Sequence, residues 1–157
     1  MKSRTFLTRS EEETIALGRE LGRELRDGVV LLIGNLGAGK TTLAKGIVEG
    51  RNAGIADEVS SPTFTLIHQY GNVFHIDLYR LDEAREVETL GLDDLFSAGG
   101  LVLIEWGERF PELLPANRTE IRLRTLEGES REITLTEPEP SRRRPNLLKI
   151  FPQRRAI

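Results

Sequence analysis

The feature that most constrains the fold of this chain is a glycine-rich run that ends in lysine and threonine. Residues 34–41 read Gly-Asn-Leu-Gly-Ala-Gly-Lys-Thr, which matches the pattern G-x-x-x-x-G-K-[ST]. A β-branched apolar segment, residues 29–33, precedes the run, and residues 42–48 after it favour a helix. A strand, a glycine loop and a helix in this order turn backbone N–H groups toward an anion. The pattern therefore predicts a Walker A loop that binds a nucleoside triphosphate.

The positions of the loop have separate predicted roles. Lys40 is expected to reach the β- and γ-phosphates, and the Thr41 hydroxyl is expected to ligate Mg²⁺. The chain has no Asn-Lys-x-Asp motif and no Asp-x-x-Gly motif after the loop, which disfavours a GTPase. The predicted nucleotide contacts in the loop are Gly34, Asn35, Leu36, Gly37, Ala38, Gly39, Lys40, Thr41 and Thr42.

Composition is typical of a single globular domain. The 157 residues suffice for one core, and 38% hydrophobic and 30% charged residues are ordinary values. The absence of cysteine excludes a disulfide framework, a thiolate zinc site and a cysteine nucleophile. Because we find no signal-peptide pattern and no apolar stretch long enough to cross a membrane, we expect a cytoplasmic protein.

Charge is distributed unevenly along the chain. Residues 141–157 carry six basic residues and no acidic residue, whereas the remainder carries 16 basic and 25 acidic residues. We therefore divide the chain into a P-loop domain over residues 1–140 and a basic C-terminal tail over residues 141–157. The tail is either a solvated extension or an arm that docks on a partner or on RNA.

Apolar patterns predict an α/β fold, a mixed central sheet flanked by helices. Ser10 and Glu13 have the form of a capping box for a first helix, and Gly50 is expected to cap the helix after the loop. Residues 63–70 and 73–79 predict two strands of a hairpin that follows this helix.

The second half of the chain continues the same architecture. Asp82 is expected to cap a short helix over residues 83–90, and residues 92–96 predict another helical turn. Residues 101–104 are all apolar, which indicates a strand buried on both faces. Residues 121–124 and 132–135 predict a second hairpin near the C-terminus.

Two carboxylates are candidates for the metal and the chemistry. Glu105 follows the apolar strand 101–104 directly, and carboxyl ends of parallel strands meet at the edge that holds the phosphate loop. Asp77 lies in the alternating strand 73–79, where it must be solvated, paired or metal-linked because an unpaired buried carboxylate is costly. The alternatives are an exposed Glu105, and an Asp77 that lies in water on an edge strand or pairs with Arg80.

Four other residues carry weaker signals. Thr63 resembles a switch threonine that closes on a γ-phosphate, although its spacing alone favours an ordinary strand residue. His68 and His75 lack a partner at metal-site spacing and are expected to be structural. We interpret Trp106 as a packing residue or an interface anchor.

Four segments together resemble the TsaE family. They are residues 34–42, residues 61–66 (Ser-Pro-Thr-Phe-Thr-Leu), residues 75–81 (His-Ile-Asp-Leu-Tyr-Arg-Leu) and residues 104–106 (Ile-Glu-Trp). The resemblance extends from about residue 6 to residue 136, and the last two segments are more specific than the loop. Asn35 departs from the aspartate usual in the family, and the basic tail has no counterpart.

The resemblance implies a bacterial ATPase required for the threonylcarbamoyl modification of adenosine 37 in certain tRNAs. It implies ATP and Mg²⁺, with the metal held by Thr41 and Glu105 and an essential role for Asp77. Lys40, Asp77 and Glu105 are then the expected catalytic residues. It also implies a switch-like segment over residues 61–65, within which Thr63 would contact the nucleotide.

The same resemblance implies partners. ATP hydrolysis is expected to be weak in the isolated chain and coupled to a TsaB–TsaD threonylcarbamoyl-transfer complex, with tRNA engaged indirectly and no membrane involved. The alternative is a P-loop kinase of a small metabolite, which should carry an arginine-bearing lid and an acceptor pocket where this chain has a predicted hairpin. A lesser alternative is a module that binds nucleotide without hydrolysing it.

Overall fold

The apolar segments of the chain assemble into one mixed sheet. The computed structural model describes residues 2–54, 56, 59 and 66–138, and within them the sheet has seven strands in the order β1-β7-β6-β2-β5-β4-β3. Their bounds are β1 (Lys2–Thr8), β2 (Gly28–Ile33), β3 (Ile67–Tyr70), β4 (Val73–Asp77), β5 (Leu101–Glu105), β6 (Thr119–Thr125) and β7 (Arg131–Glu137).

The centre of the sheet is parallel and its borders are antiparallel. β6, β2, β5 and β4 run in the same direction, whereas β7 and β1 on one side and β3 on the other run against their neighbours. Every residue of β5 is buried, which confirms the predicted strand with two covered faces. The carboxyl ends of β2, β4 and β5 therefore lie side by side at one edge of the sheet.

Helices cover both faces. On one face lie α1 (Glu11–Glu24) and α2 (Lys40–Gly50), and on the other lie α3 (Ala84–Glu88), α4 (Leu92–Ser97) and 3-10 turns at Gly107–Arg109 and Pro111–Leu113. Each face has its own apolar core. The first includes Leu21, Leu32, Leu43, Ile47, Leu103 and Ile121, and the second includes Leu31, Ile76, Val87, Leu92, Ile104 and Phe110.

Glycines let α1 and α2 touch along their backbones. A Cβ atom at Gly46 would lie 2.1 Å from the Ile15 carbonyl oxygen, and one at Gly50 would lie 2.1 Å from the Arg19 carbonyl oxygen. α2 ends at Gly50, and its C-cap is Arg51 rather than Gly50, which we had predicted as the cap. Close packing against α1, rather than helix termination, explains the glycine at this position.

Several predicted boundaries are confirmed and others are wrong. Ser10 caps α1, because its hydroxyl accepts the Glu13 N–H at 3.1 Å, and both predicted hairpins are present. The cap of α3 is Glu83 rather than Asp82, since Glu83 and Glu86 form a capping box. β1 was not predicted; it is an edge strand of the described sheet, and its partner, β7, lies at the other end of the described chain.

The first hairpin is shorter than predicted. β3 begins only at Ile67 because Leu66 has φ 68°, which interrupts the extended backbone. β4 ends at Asp77, where the chain enters a turn closed by the Leu81 N–H and the Leu78 carbonyl at 3.1 Å. Thr63, the segment 61–65 and the tail 141–157 lie outside the described residues. No helix in the described ranges has the length and apolar character needed to cross a membrane.

Candidate functional site

A cavity of about 430 Å³ opens where the carboxyl ends of the central strands meet the N-terminus of α2. Three sides are built from the glycine loop after β2, the ends of β4 and β5, and the hairpin turn before β7. The lining residues are Glu11, Thr14, Leu36, Gly37, Gly39, Lys40, Thr41, Thr42, Asp77, Tyr79, Glu105, Trp106, Glu129 and Arg131.

The loop after β2 has the backbone that its glycines predict. Gly39 precedes α2 with φ 104°, a left-handed conformation that disfavours any side chain. The turn before it is closed by the Ala38 N–H, which donates to the Asn35 carbonyl at 3.0 Å. Of the predicted nucleotide contacts, residues 36, 37 and 39–42 line the cavity. Gly34, Asn35 and Ala38 instead border a depression on the opposite side of the loop.

Lys40 is folded back over the loop. Its side chain is buried, with 4% of the residue exposed. Its Nζ donates to the Gly34 carbonyl at 2.8 Å and lies 3.5 Å from the centre of the Trp106 ring. Burial lowers the pKa of the Lys40 ammonium from its ordinary value, and the nearby carboxylates of Glu105, Glu108 and Asp77 oppose that shift. An anionic ligand would favour the charged form further.

Glu105 lies at the N-terminus of α2, at the point its position after β5 predicted. One of its oxygens, Oε2, accepts the Thr41 hydroxyl at 3.2 Å and the His75 Nε2–H at 2.6 Å. Glu105 is 3% exposed and His75 is fully buried, so the alternative of an exposed Glu105 is wrong. The structure thus joins a carboxylate and the hydroxyl of the loop threonine, both oxygen donors of the type that Mg²⁺ prefers.

Asp77 is the neighbour of Glu105 across the sheet. The two residues are register partners at the ends of the parallel strands β4 and β5. Asp77 is 3% exposed, and its Oδ1 accepts the Tyr79 N–H at 2.9 Å. β4 lies between β5 and β3, so the alternative of Asp77 in water on an edge strand is wrong. The cavity therefore has two buried carboxylates beside one buried lysine.

An aromatic wall closes the side of the cavity next to β5. The rings of Tyr79 and Trp106 lie 5.1 Å apart, and Trp106 has a left-handed backbone with φ 66°. Arg109 supports this wall by donating to the carbonyl oxygens of Leu78, Tyr79 and Leu81 at 2.5, 2.8 and 2.7 Å. Trp106 also contacts Lys40 directly, as described above. We had interpreted Trp106 as a packing residue or an interface anchor, and neither interpretation predicted this contact.

Among the residues that were not predicted as site residues, His75 and Arg131 make hydrogen bonds that hold the site together. His75 was expected to be structural, yet it holds Glu105. Arg131 was not predicted either, and its guanidinium contacts the glycine loop from the start of β7. The alternation of polar residues at positions 75 and 77 on one face of β4 was the available signal for His75. No local pattern connects Arg131 to a loop about ninety residues earlier in the chain.

The described residues contain no group of three or more His, Cys, Asp and Glu side chains able to hold a metal ion by themselves. A divalent cation at Thr41 and Glu105 would therefore need further oxygen ligands from phosphate or water. This is the usual arrangement for Mg²⁺ bound together with a nucleotide.

The family described as "Threonylcarbamoyl adenosine biosynthesis protein TsaE" matches residues 8–133. The chain belongs to the TsaE family. The resemblance seen in the sequence is thereby confirmed, and the matched range includes every residue that lines the cavity.

Relatives named as TsaE extend over most of the chain. The tRNA threonylcarbamoyladenosine biosynthesis protein TsaE of Bacillus subtilis is 40% identical over 141 residues, which cover 87% of each chain. That of Treponema pallidum is 40% identical over 133 residues, which cover 82% of this chain and 97% of the relative. The crystal structure of YdiB from Bacillus subtilis superposes with a TM-score of 0.71 at 31% identity, covering 99% of this chain and 97% of that chain. The fold is thus the TsaE fold.

Proposed function

We propose that this chain is an Mg²⁺-dependent ATPase that serves the threonylcarbamoyl modification of adenosine 37 in tRNA. The supporting observation is the arrangement at the N-terminus of α2, where the Thr41 hydroxyl meets Glu105 at 3.2 Å beside the buried ammonium of Lys40. The cavity combines a backbone anion site, the Lys40 ammonium and two oxygen ligands for a metal. This combination fits a nucleoside triphosphate bound together with Mg²⁺. The proposed role in tRNA threonylcarbamoyladenosine biosynthesis is taken from the family and from the names of the relatives.

The residues divide into three roles. The Lys40 ammonium would leave the Gly34 carbonyl and bind β- and γ-phosphate oxygens, where it stabilises charge as the γ-phosphate departs. Thr41 and Glu105 would hold Mg²⁺, which when bound neutralises charge on the phosphate oxygens. His75 would fix the rotation of the Glu105 carboxylate through the 2.6 Å hydrogen bond.

Asp77 is the residue suited to the attacking water. It lies next to Glu105 in the register of the sheet, is buried, and has one oxygen fixed by the Tyr79 N–H. A carboxylate in this position can accept a hydrogen bond from water and orient it toward the γ-phosphorus. Thr63 lies outside the described residues, and we propose it as a further nucleotide contact only because the segment 61–66 resembles a switch-like segment of the family.

Hydrolysis in this proposal is coupled to a TsaB–TsaD-type transferase complex, and the isolated chain turns over slowly. The surface suited to that coupling is the mouth of the cavity, where Leu36 is 76% exposed and Tyr79 is partly exposed. Both side chains line the cavity, so a protein that contacts them would lie next to the nucleotide site. A partner seated there would sense whether the cavity holds nucleotide.

Phosphate release from ATP, measured with and without the partner pair, tests the proposal. We expect slow Mg²⁺-dependent release by the chain alone and faster release with the partners. Small metabolites with a hydroxyl acceptor are the control for the kinase alternative. Formation of a phosphorylated metabolite would contradict the proposed function. So would a rate of phosphate release that depends neither on Mg²⁺ nor on the partners.

A further inference from the structure

Arg131 binds the glycine loop and the last hairpin at the same time. Its Nε donates to the Ala38 carbonyl at 3.0 Å, and its Nη2 lies 3.4 Å from the Gly37 carbonyl. Its Nη1 donates to the carbonyls of Gly128 and Ser130, each at 2.9 Å. One guanidinium therefore joins two consecutive peptides of the loop to the turn that precedes β7.

These contacts determine which way the loop peptides face. In a trans peptide the carbonyl and the following N–H point in opposite directions, and the chain has no cis peptide among its described residues. Because Arg131 holds the Ala38 carbonyl, the Gly39 N–H of the same peptide points away from the guanidinium. Gly39 lines the cavity, so a phosphate bound there would lie within reach of this N–H.

The adjacent peptide is fixed from both ends. Its carbonyl, on Gly37, faces Arg131, while its N–H, on Ala38, donates to the Asn35 carbonyl at 3.0 Å and closes the turn. A loop of glycines has little intrinsic preference for one peptide orientation. An external donor that holds two consecutive carbonyls can supply that preference.

We propose that Arg131 is a positioning residue for phosphate binding: from β7 it holds the glycine loop so that the turn stays closed and the Gly39 N–H is turned into the cavity. The inference rests on the proposed nucleotide binding and deepens it. The fork of the guanidinium is essential to this role, since a lysine ammonium at the same place is a single point donor and cannot span loop and hairpin in the same geometry.

Three variants test the role. Arg131→Met removes every donor, and Arg131→Lys keeps the charge but not the fork. Arg124→Met is the matched control, because it removes the same charge from the same hairpin while Arg124 bonds Glu132 at 3.1 Å. Two properties are measured for each: the dissociation constant for ADP by calorimetry, and the ¹H–¹⁵N cross-peaks of Ala38 and Gly39 in the nucleotide-free protein.

We expect Arg131→Met to weaken ADP binding about tenfold or more, the usual effect of losing a charged hydrogen bond that orders a site. Arg131→Lys should also bind several-fold more weakly, and Arg124→Met should match the wild type. The Ala38 and Gly39 cross-peaks should shift or broaden in both Arg131 variants, while the β6 and β7 cross-peaks remain. If Arg131→Met fails to fold, Arg131→Lys decides the question by the same two measurements.

Wild-type ADP affinity in either Arg131 variant, or unchanged loop cross-peaks in both, would overturn the inference. Absence of ADP binding by the wild type itself would refute the proposed nucleotide function instead. In that case the nucleotide-free spectra still show whether Arg131 orients the loop, so the two failures are distinguishable.

Discussion

Replacing Glu105 by glutamine should separate metal binding from folding. Gln has the same shape as Glu and retains a carbonyl oxygen that can accept both the Thr41 hydroxyl and the His75 N–H now held by Oε2. The substitution removes only the negative charge and one acceptor oxygen. The fold should therefore survive, and the loss should appear in the interaction with the cation.

The expected size of that loss follows from the contacts. A hydrogen bond or ligand contact to a charged group contributes about 1.5–3 kcal/mol, and 1.4 kcal/mol corresponds to a tenfold change in an equilibrium constant. The Mg²⁺ concentration that half-saturates the effect on ATP binding should rise about 10- to 150-fold in Glu105→Gln. The remaining amide oxygen and the unchanged Thr41 favour the lower end of this range.

The assay is calorimetric titration of ATP at a series of Mg²⁺ concentrations, followed by phosphate release at saturating ATP. Glu132→Gln is the matched control, because Glu132 pairs with Arg124 at 3.1 Å and does not line the cavity. The variant, the control and the wild type should melt within a few degrees of one another. If Glu105→Gln shows the magnesium dependence of the control, Glu105 does not hold the metal and the assignment is refuted.

Other variants address the remaining parts of the site and the fold. Lys40→Ala should weaken ATP binding by about 1.5–3 kcal/mol, because in the nucleotide-bound state the lost contacts are to phosphate, and the fold should survive the loss of the single hydrogen bond to Gly34; unchanged affinity by calorimetry would end the assignment of the loop. Asp77→Asn should reduce phosphate release at least 100-fold while ATP still binds, as expected for a residue that orients water, and equal losses of binding and turnover would argue against that role. Trp106→Ala should reduce partner-stimulated hydrolysis more than basal ATP binding, because an aromatic interface anchor contributes about 2 kcal/mol; a collapse of circular dichroism would show a core role instead. Gly46→Ala places a Cβ 2.1 Å from a backbone oxygen, so the melting temperature should fall about 3–10 °C, the effect of overpacking by about 1–3 kcal/mol in a chain of this length; an unchanged melting temperature would contradict the close crossing of α1 and α2.

The parts of the fold that the sequence predicts are those encoded by neighbouring residues. The loop pattern at residues 34–41 and the apolar run at residues 101–104 are contiguous, and both led to the correct placement of Lys40, Thr41 and Glu105. β1 was missed because its alternation is weak and its pairing with β7 is a contact between distant segments. Pairing across the fold also explains why the contact of Arg131 with Ala38 could not be predicted.

Errors at element boundaries have a similar origin. From the sequence alone, Gly50 resembles a helix C-cap. In the structure a glycine is needed there because a Cβ atom would collide with the Arg19 carbonyl oxygen of α1. Asp77 was placed correctly on a polar strand face, but whether that strand lies inside the sheet depends on its parallel pairing with β5, which joins segments that are not neighbours in the sequence. Tertiary packing therefore decided the features that local propensity left open.

The glycine contact between α1 and α2 has a mechanical consequence. Where two helices touch backbone to backbone, no layer of side chains lies between them to absorb a displacement by changing rotamers. We therefore expect the two helices to move together, with the phosphate loop at the N-terminus of α2. The N-terminus of α1 is attached to the last hairpin, since the Glu11 N–H donates to Glu129 at 3.1 Å. A displacement of the loop would therefore be transmitted through the helix pair to the border of the sheet formed by β1 and β7.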